Sequence, residues 1–413
     1  MSPVSNVLPT IDHVPGFRVA GVHAGLKKDG ALDMTLIVSD TPCVAAGVFT
    51  TNHMKAAPVL FDMEQLQYND THMRAVIVNT KCANACTGEQ GLANARQMAR
   101  LTAAELGCGE DEVLVMSTGV IGSQLPMEKI AHGIKLSAQS LGGDWAAAAR
   151  GIMTTDTRPK SAAITVTMAG GQTYHIAGIS KGAGMIAPNM ATMLSVVVTD
   201  AVLPGDTARA LLQSVTAQTF NRIVVDGDMS TNDTLLLLAN GQSGAALQTP
   251  DDFTQFHDAL SAVCRKLAQD IVRDGEGVTK FITLTVSGTA SDVSAQQIAN
   301  TIATSPLVKT AFFGNDANWG RIVAAAGRAG VPLDPQHIEL YITPGEVEGQ
   351  TAESLLLFTA GMPTAYSEAA ATAIFKNPSV SIYLRCGDAS GVATIWTCDL
   401  SHDYVSINGD YRS

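Results

Sequence analysis

Short apolar runs alternate with longer amphipathic stretches along this chain of 413 residues. Residues 74–78, 113–117 and 163–168 are short, apolar and partly β-branched, a pattern that predicts strands. Residues 89–106 and 294–303 repeat apolar side chains at the spacing of a helical face. The pattern therefore indicates strands interleaved with helices.

The second half of the chain carries the clearest helix and a pair of strands. Residues 251–272 place a stripe of apolar side chains on one face, and Asp251 is predicted to cap this helix. Near the end, residues 380–386 and 392–400 alternate apolar and polar positions around the five residues 387–391. We expect these two strands to pair as a hairpin.

These elements predict a mixed α/β (α+β) fold that includes some antiparallel sheet. A chain of this length is long for one hydrophobic core, so we expect two lobes. The composition, 46% hydrophobic and 15% charged, is typical of soluble globular proteins. No apolar run is long enough to cross a bilayer and the first ten residues lack signal-peptide features, so we expect a cytoplasmic protein without a membrane partner.

Charge and cysteine content narrow the classes of partner. A net charge of −12 argues against nucleic acid, because phosphate binding requires a basic face. The seven cysteines are scattered and odd in number, which favours reduced thiols over a disulfide framework. Cys82 and Cys86 lack a second pair of Cys or His at ligand spacing, so we predict no metal site.

The most informative residues for chemistry surround Thr192. In residues 181–194 (KGAGMIAPNMATML), glycines, a proline and small residues predict a bent loop before Thr192, and the apolar residues after it predict a buried strand. If the preceding bond is cut, the freed α-amine, with a pKa of roughly 7.7–8.0, can accept the proton of the Thr192 hydroxyl. The same hydroxyl can make the cut by attacking the Ala191 carbonyl. On residue types alone, a threonine that simply begins a core strand is the more common case.

Further motifs along the chain favour a catalytic Thr192 over a threonine that only begins a strand. Residues 181–194 resemble the self-cleavage segment of the ornithine acetyltransferase family, also called glutamate N-acetyltransferases. Other motifs that are similar to this family stand in the family's order: VFTTN (48–52), ANACTG (83–88), STGVIG (117–122), MTTDT (153–157), DGEG (274–277), GNDANWGR (314–321) and INGDYRS (407–413). The resemblance extends over essentially the whole chain.

The resemblance implies roles for individual residues. Thr192 would be the nucleophile and, after cleavage, its own general base. Thr118 and Gly119 would form the oxyanion hole, through a hydroxyl and a backbone N–H. The substrate-binding positions that the resemblance implies are Thr154 (with Thr155 as the alternative), Lys181, Thr192, Glu276, Asn408 and Ser413.

The resemblance also implies the processing and the reaction. The chain would cut itself between Ala191 and Thr192 into an α chain (1–191), with the oxyanion hole and part of the pocket, and a β chain (192–413), with the nucleophile and the rest. The two chains would share the two-lobed mixed α/β fold of self-processing aminopeptidases and assemble as an α2β2 heterotetramer. Acetyl would pass from N-acetylornithine to Thr192 and then to glutamate, a ping-pong step of arginine synthesis that needs no cofactor. Whether acetyl-CoA also serves as a donor stays open.

The chain departs from the family pattern at two places. The family commonly has Ser-Gly-Asn before its Ala-Asn-Ala-Cys motif, where this chain has Thr80, Lys81 and Cys82, and Ser413 stands where Thr is more usual.

Two alternative functions also remain. One is a self-processing amidohydrolase or aminopeptidase with the same threonine and water as acceptor, and the other is a binding protein that never cuts itself.

Overall fold

The computed structural model describes residues 7–187 and 193–410, which fall into two compact units. The first contains residues 7–182, 193–221 and 229–271, and the second contains residues 183–187, 222–228 and 272–410. Both combine helices with sheet, so the predicted mixed α/β class is confirmed. These units reflect packing, whereas the division into 1–191 and 192–413 concerns covalent cleavage and stays a prediction.

The first unit is built on an eight-stranded mixed sheet. Its strands are β1 (Phe17–Val22), β2 (Met34–Phe49), β3 (Met73–Asn79), β4 (Val113–Ser117), β5 (Lys160–Thr167), β6 (Thr173–Lys181), β7 (Leu194–Thr199) and β8 (Thr234–Ala239). Their order is β4-β3-β2-β8-β7-β6-β5, and β1 pairs with β2. The pairs β3–β4 and β7–β8 are parallel, and the other neighbours are antiparallel.

The centre of this sheet is formed by strands without a polar face. Every residue of β7 and of β8 is buried, as their continuous apolar sequences indicate for strands covered on both sides. The strand predicted after Thr192 is therefore confirmed. The strands predicted at 74–78, 113–117 and 163–168 are also present as β3, β4 and β5, with ends shifted by no more than three residues.

Helices cover both faces of the first sheet. The helices that the structure describes in both units are α1 (Ala57–Tyr68), α2 (Gly88–Leu106), α3 (Met127–Gln139), α4 (Trp145–Gly151), α5 (Gly205–Gln218), α6 (Pro250–Arg273), α7 (Asp292–Ala303), α8 (Pro306–Phe313), α9 (Trp319–Gly327), α10 (Glu368–Phe375) and α11 (His402–Gly409). Trp145 of α4 packs into the apolar cluster on one face, and Met98 of α2 and Ile130 of α3 pack into the cluster on the other. The predicted helix at 89–106 corresponds to α2.

Helix α6 confirms the helix predicted at 251–272 but not its predicted cap. The Thr249 hydroxyl oxygen accepts the Asp252 N–H at 3.2 Å, and the Asp252 carboxylate accepts the Thr249 N–H at 2.9 Å. This reciprocal pair is a capping box, with Thr249 in the position predicted for Asp251. The prediction of Asp251 was wrong because Pro250 occupies the first helical position. The cap is the residue before the first helical position, which is Thr249.

The second unit contains a six-stranded sheet. Its strands are β9 (Phe281–Thr289), β10 (Glu339–Pro344), β11 (Leu355–Thr359), β12 (Met362–Pro363), β13 (Ser379–Arg385) and β14 (Gly391–Cys398), in the order β12-β11-β10-β13-β9-β14. Helices α7 to α10 supply apolar residues to the core of this unit. The predicted helix at 294–303 is part of α7, which begins after the cap residue Ser291.

The predicted terminal hairpin is wrong. Both strands form, but β13 pairs in parallel with β9 while β14 pairs antiparallel with the other edge of β9. The connection between them turns past the end of β9, where a Cβ on Gly288 would lie 2.1 Å from the Gly387 carbonyl oxygen. These two glycines thus allow a third strand to separate two strands that are adjacent in sequence.

Candidate active site

The segment that was predicted to cut itself connects two neighbouring antiparallel strands. β6 ends at Lys181 and β7 begins at Leu194, and these two residues are register partners. Ala191 and Thr192 lie outside the described residues, and so does Ser413. The roles predicted for these three residues stay predictions.

The first part of this segment is anchored within the second unit. The Asp226 carboxylate accepts the Met185 N–H at 2.6 Å and the Ile186 N–H at 2.8 Å. Burial raises the pKa of Asp226, although these hydrogen bonds and the Tyr404 hydroxyl oppose that shift. Residues 183–185 bend and Met185 has a φ of +59°, which agrees with the bent loop predicted from its composition.

The predicted oxyanion hole lies directly after β4. Thr118 donates its N–H to the Asn79 carbonyl oxygen at 3.0 Å, whereas the Gly119 N–H meets no acceptor among the described residues. Gly119 has a φ of +133°, and a Cβ there would lie 2.2 Å from the Lys81 carbonyl carbon. Only glycine fits this turn, which leaves a bare backbone N–H next to the Thr118 hydroxyl.

The structure brings Lys181 to this turn. Its ammonium donates to Thr118 Oγ1 at 3.4 Å, and both residues are buried. Since the Thr118 oxygen accepts this bond, its own hydrogen can point toward another acceptor. A nearby ammonium also makes the hydroxyl a stronger donor, because it withdraws electron density from the oxygen.

Thr154 is connected to the same cluster through one carboxylate. It lies in a bend between α4 and β5, not in a strand, and donates its N–H to Asp156 Oδ2 at 2.9 Å. Asp156 Oδ1 accepts the Gly182 N–H at 2.7 Å. The backbones beside two predicted substrate-binding residues, Thr154 and Lys181, are therefore held by Asp156.

Asp156 is also the counter-ion of two buried lysines. Its Oδ1 lies 2.6 Å from Lys160 Nζ, and both side chains are buried. Burial alone raises the pKa of Asp156, but the positive charges of Lys181 and Lys160 and the bond from Gly182 outweigh it and lower that pKa to about 2. Asp156 is thus ionised at neutral pH and stabilises positive charge next to Thr118.

A separate cluster in the second unit holds Glu276 and Asn408. Asn408 Nδ2 donates to Glu276 Oε2 at 2.8 Å, and the Glu276 N–H donates to the Ala183 carbonyl oxygen at 2.8 Å. A Cβ on Gly184 would lie 2.4 Å from Glu276 Oε2, so the Glu276 carboxylate requires a glycine at this point of the segment. Two residues that are 132 positions apart in sequence are thus in contact, and their predicted role in substrate binding stays a prediction.

Two buried polar residues of the first unit escaped the sequence analysis. Asn232 donates to the carbonyl oxygen of Ser117, and Asp233 accepts the N–H of Met193. They stand at the end of a run of short polar residues, 230–233, directly before the apolar strand β8. That abrupt change from polar to apolar was the available signal, but such runs are usually turns.

The described ranges contain no group of His, Cys, Asp and Glu side chains arranged to hold a metal ion. Among the same residues, every helix is too short or too polar to traverse a membrane. All seven cysteines are unpaired. The chemistry that the described residues offer is therefore that of hydroxyls, backbone N–H groups, carboxylates and ammonium groups.

Comparisons with known proteins give consistent matches. The model of the ArgJ family matches residues 18–413. The chain is 48% identical to the arginine biosynthesis bifunctional protein ArgJ of Geobacter sulfurreducens, over 97% of this chain and 100% of the relative. It is 46% identical to the protein of the same name from Thermotoga neapolitana, over 96% and 99%. An ornithine acetyltransferase complexed with ornithine, from Mycobacterium tuberculosis, is 40% identical and covers 46% of this chain and 98% of its own, with a TM-score of 0.41.

Proposed function

The chain belongs to the ArgJ family, and we propose on this basis that it transfers acetyl from N-acetylornithine to glutamate in arginine biosynthesis. The observation that carries the proposal is the turn at Thr118 and Gly119 with the Lys181 ammonium beside it. This turn offers two adjacent donors next to a buried positive charge, and acyl transfer requires such donors for its oxyanion. Thr192, eleven residues after Lys181, supplies the nucleophile.

The first step that we propose is self-cleavage between Ala191 and Thr192. The Thr192 hydroxyl oxygen attacks the Ala191 carbonyl carbon, the C–N bond breaks, and the hydroxyl proton passes to the nitrogen. An ester then joins the two residues. Water cleaves this ester, which leaves a carboxylate on Ala191 and a free α-amine on Thr192. That amine afterwards accepts the proton of its own hydroxyl.

The transfer then proceeds in two half-reactions. Thr192 attacks the acetyl carbonyl of N-acetylornithine, ornithine leaves with a proton on its nitrogen, and an acetyl ester stays on Thr192. The amine of glutamate attacks this ester and restores the hydroxyl. In each half-reaction Thr118 and Gly119 donate to the carbonyl oxygen while it carries negative charge.

Substrate recognition is assigned to two sets of residues. Thr154 and Lys181 belong to the cluster around Asp156, and an ammonium next to neutral donors suits a carboxylate, which both substrates carry. Glu276 and Asn408 form the other set, and a carboxylate suits the amine of ornithine. Ser413, through its hydroxyl, is the remaining residue to which we assign substrate binding.

The remaining parts of the proposal concern assembly and a second donor. The α chain (1–191) and β chain (192–413) stay together after cleavage and associate as an α2β2 heterotetramer in the cytoplasm. The curated relatives are named bifunctional proteins, so we include glutamate acetylation from acetyl-CoA as a second activity. No cofactor is assigned, because hydroxyl, amine and oxyanion hole suffice for acyl transfer.

The test combines intact mass with acetyl transfer. We expect two fragments in the purified protein, one ending at Ala191 and one beginning at Thr192, and an acetyl adduct on the second fragment after addition of N-acetylornithine. Thr192→Ala should stay full length, while Thr192→Ser, which keeps the hydroxyl, should be cut. A wild-type chain that stays at full length, or that is cut at another bond, would contradict the proposal.

A further inference from the structure

The turn that carries the oxyanion donors is held by Asn232. Asn232 Nδ2 donates to the Ser117 carbonyl oxygen at 2.8 Å and to the Ala83 carbonyl oxygen at 2.6 Å. Ala83 in turn donates its N–H to the Val120 carbonyl oxygen at 3.0 Å. The residues immediately before and after Thr118 and Gly119 are thus both connected to one buried amide.

The strand that follows Thr192 is held by the next residue. Asp233 Oδ1 accepts the Met193 N–H at 3.0 Å, and the Thr234 N–H donates to the Met193 carbonyl oxygen at 3.1 Å. Both polar groups of the Met193 backbone are therefore fixed, and the Met193 side chain is buried. Because a peptide unit is planar, an N–H held in one direction limits the orientations open to the residue bonded to it, which is Thr192.

Asn232 and Asp233 are rigid anchors. Their exposed fractions are 5% and 0%, and β8, which begins one residue later, is wholly buried. The amide oxygen of Asn232 accepts the Thr231 hydroxyl at 2.6 Å, and the backbone carbonyl of Asp233 accepts the Thr50 N–H at 2.9 Å. The first contact restrains the Asn232 amide, and the second holds the Asp233 backbone.

We propose that Asn232 and Asp233 are positioning residues that set the nucleophile against its oxyanion hole, Asn232 through the 117–120 turn and Asp233 through the amide after Thr192. The inference rests on the proposed function, because it assigns a purpose to their contacts only if Thr192 reacts. Asn232 and Asp233 are adjacent residues directly before β8, and one bonds to the oxyanion turn while the other bonds to the Met193 backbone. Among residues 7–187 and 193–410, neither side chain forms a hydrogen bond with Thr118 or Gly119.

Asp233 holds the Met193 backbone as a hydrogen-bond acceptor. Burial raises its pKa well above the usual range, although the bond from Met193 and the positive charge of Lys181 oppose the shift. Its second carboxyl oxygen is buried. An asparagine has the same shape and keeps an acceptor oxygen, so it should keep the bond from the Met193 N–H.

The test compares four variants by self-cleavage rate and by the kinetics of the processed enzyme with N-acetylornithine and glutamate. Asp233→Ala should cut on the order of 10²-fold more slowly, since small misplacements of reacting groups have effects of this size. Asp233→Asn should cut at close to the wild-type rate. Asn232→Ala should lower kcat on the order of tenfold or more, while KM stays nearly unchanged.

Asp62 provides the matched control. It is another fully buried carboxyl of the first unit, and it accepts one strand N–H, from Val115, at 2.8 Å. Its second oxygen is also buried. Asp62→Ala should lose stability like Asp233→Ala but should cut at the wild-type rate. Equal slowing in both variants would show that lost stability, not positioning, is the cause, and slow cleavage in folded Asp233→Asn would overturn the acceptor role.

Hydrogen exchange of the Met193 amide separates this inference from the proposed function. Asp233→Ala should lose protection at this amide, and Asp233→Asn should keep it, whether or not the protein is an acetyltransferase. If wild type neither cuts itself nor transfers acetyl, the proposed function fails. Unchanged protection of the Met193 amide in Asp233→Ala would overturn the positioning role even in an active enzyme.

Discussion

At the scale of single residues, the turn at Thr118 is the most direct target. Thr118→Ala removes one of the two oxyanion donors and should lower kcat on the order of 10²–10³-fold. Affinity for substrates should change little, because the donor acts mainly in the transition state. Steady-state kinetics of the processed variant measure both. Thr118→Ser keeps a hydroxyl and is the control, and an unchanged kcat in Thr118→Ala would remove Thr118 from the oxyanion hole.

Lys81 shows where the departure from the family pattern has a physical cost. It has a φ of +68°, in the left-handed region where glycine is favoured, and its side chain is exposed. Lys81→Gly should raise the free energy of unfolding by about 0.5–1 kcal/mol. The substitution removes the strain of a left-handed backbone with a Cβ, and the greater conformational entropy of glycine in the unfolded chain offsets part of this gain. Urea denaturation measures the change. Lys81→Ala keeps a Cβ and should give no gain, so equal gains in both variants would refute the explanation.

Asp156 should make the protein sensitive to acid. Its pKa in the fold is about 2, below the unfolded value of about 3.9, so its contribution is complete above pH 4 and is lost as the pH falls toward 2. The size of this contribution is about 2 kcal/mol. Asp156→Asn should be less stable than wild type at pH 7, and the difference should shrink between pH 4 and pH 2. A difference that is constant over this range would contradict the assignment.

The sequence predicted some of these residues and not others, for a physical reason. Thr118, Gly119 and Lys181 lie in motifs that resemble a family, and the structure brings them together. Asp233 and Asn232 act on backbone groups 40 and 115 positions away, so their partners cannot be read from local sequence. Short polar side chains before a strand look the same whether they end a turn or hold an active site.

At the scale of elements, the capping box of α6 allows a paired comparison. Thr249→Ala should lower the free energy of unfolding by about 1 kcal/mol, because it removes the acceptor for the Asp252 N–H. Asp251→Ala should have a much smaller effect, since the cap is not Asp251. Urea denaturation of both variants provides the measurement. A larger loss in Asp251→Ala would restore the cap predicted from sequence.

Element type was predictable here, while strand partners were not. Continuous apolar runs indicated β4 and β7, and helical periodicity indicated α2 and α6, because burial depends on local spacing. The alternating pattern of β13 and β14 was also correct, but it does not specify which strand lies beside which. β9, about 90 residues earlier in the chain than β13, takes the place between them. Non-local pairing of this kind depends on the packing of the whole sheet.

At the scale of the whole molecule, the proposed reaction requires that the acetyl-enzyme react with glutamate faster than with water. Donor and acceptor are both amino acids and would occupy one site in turn, so groups that bind the shared carboxylate act on both. A bound acceptor has a high effective concentration next to the ester, whereas water must be excluded. Release of ornithine from N-acetylornithine should therefore be slow alone and much faster with glutamate, and double-reciprocal plots should be parallel.

Lys181 connects this behaviour to the structure. Lys181→Ala should raise KM for both N-acetylornithine and glutamate if the ammonium binds their carboxylates, and should also lower kcat because Thr118 loses the charge beside its hydroxyl. Steady-state kinetics with each substrate varied in turn distinguish the two effects. Full-rate ornithine release without glutamate in the wild-type protein would instead identify a hydrolase, since only water would then be accepting the acetyl group.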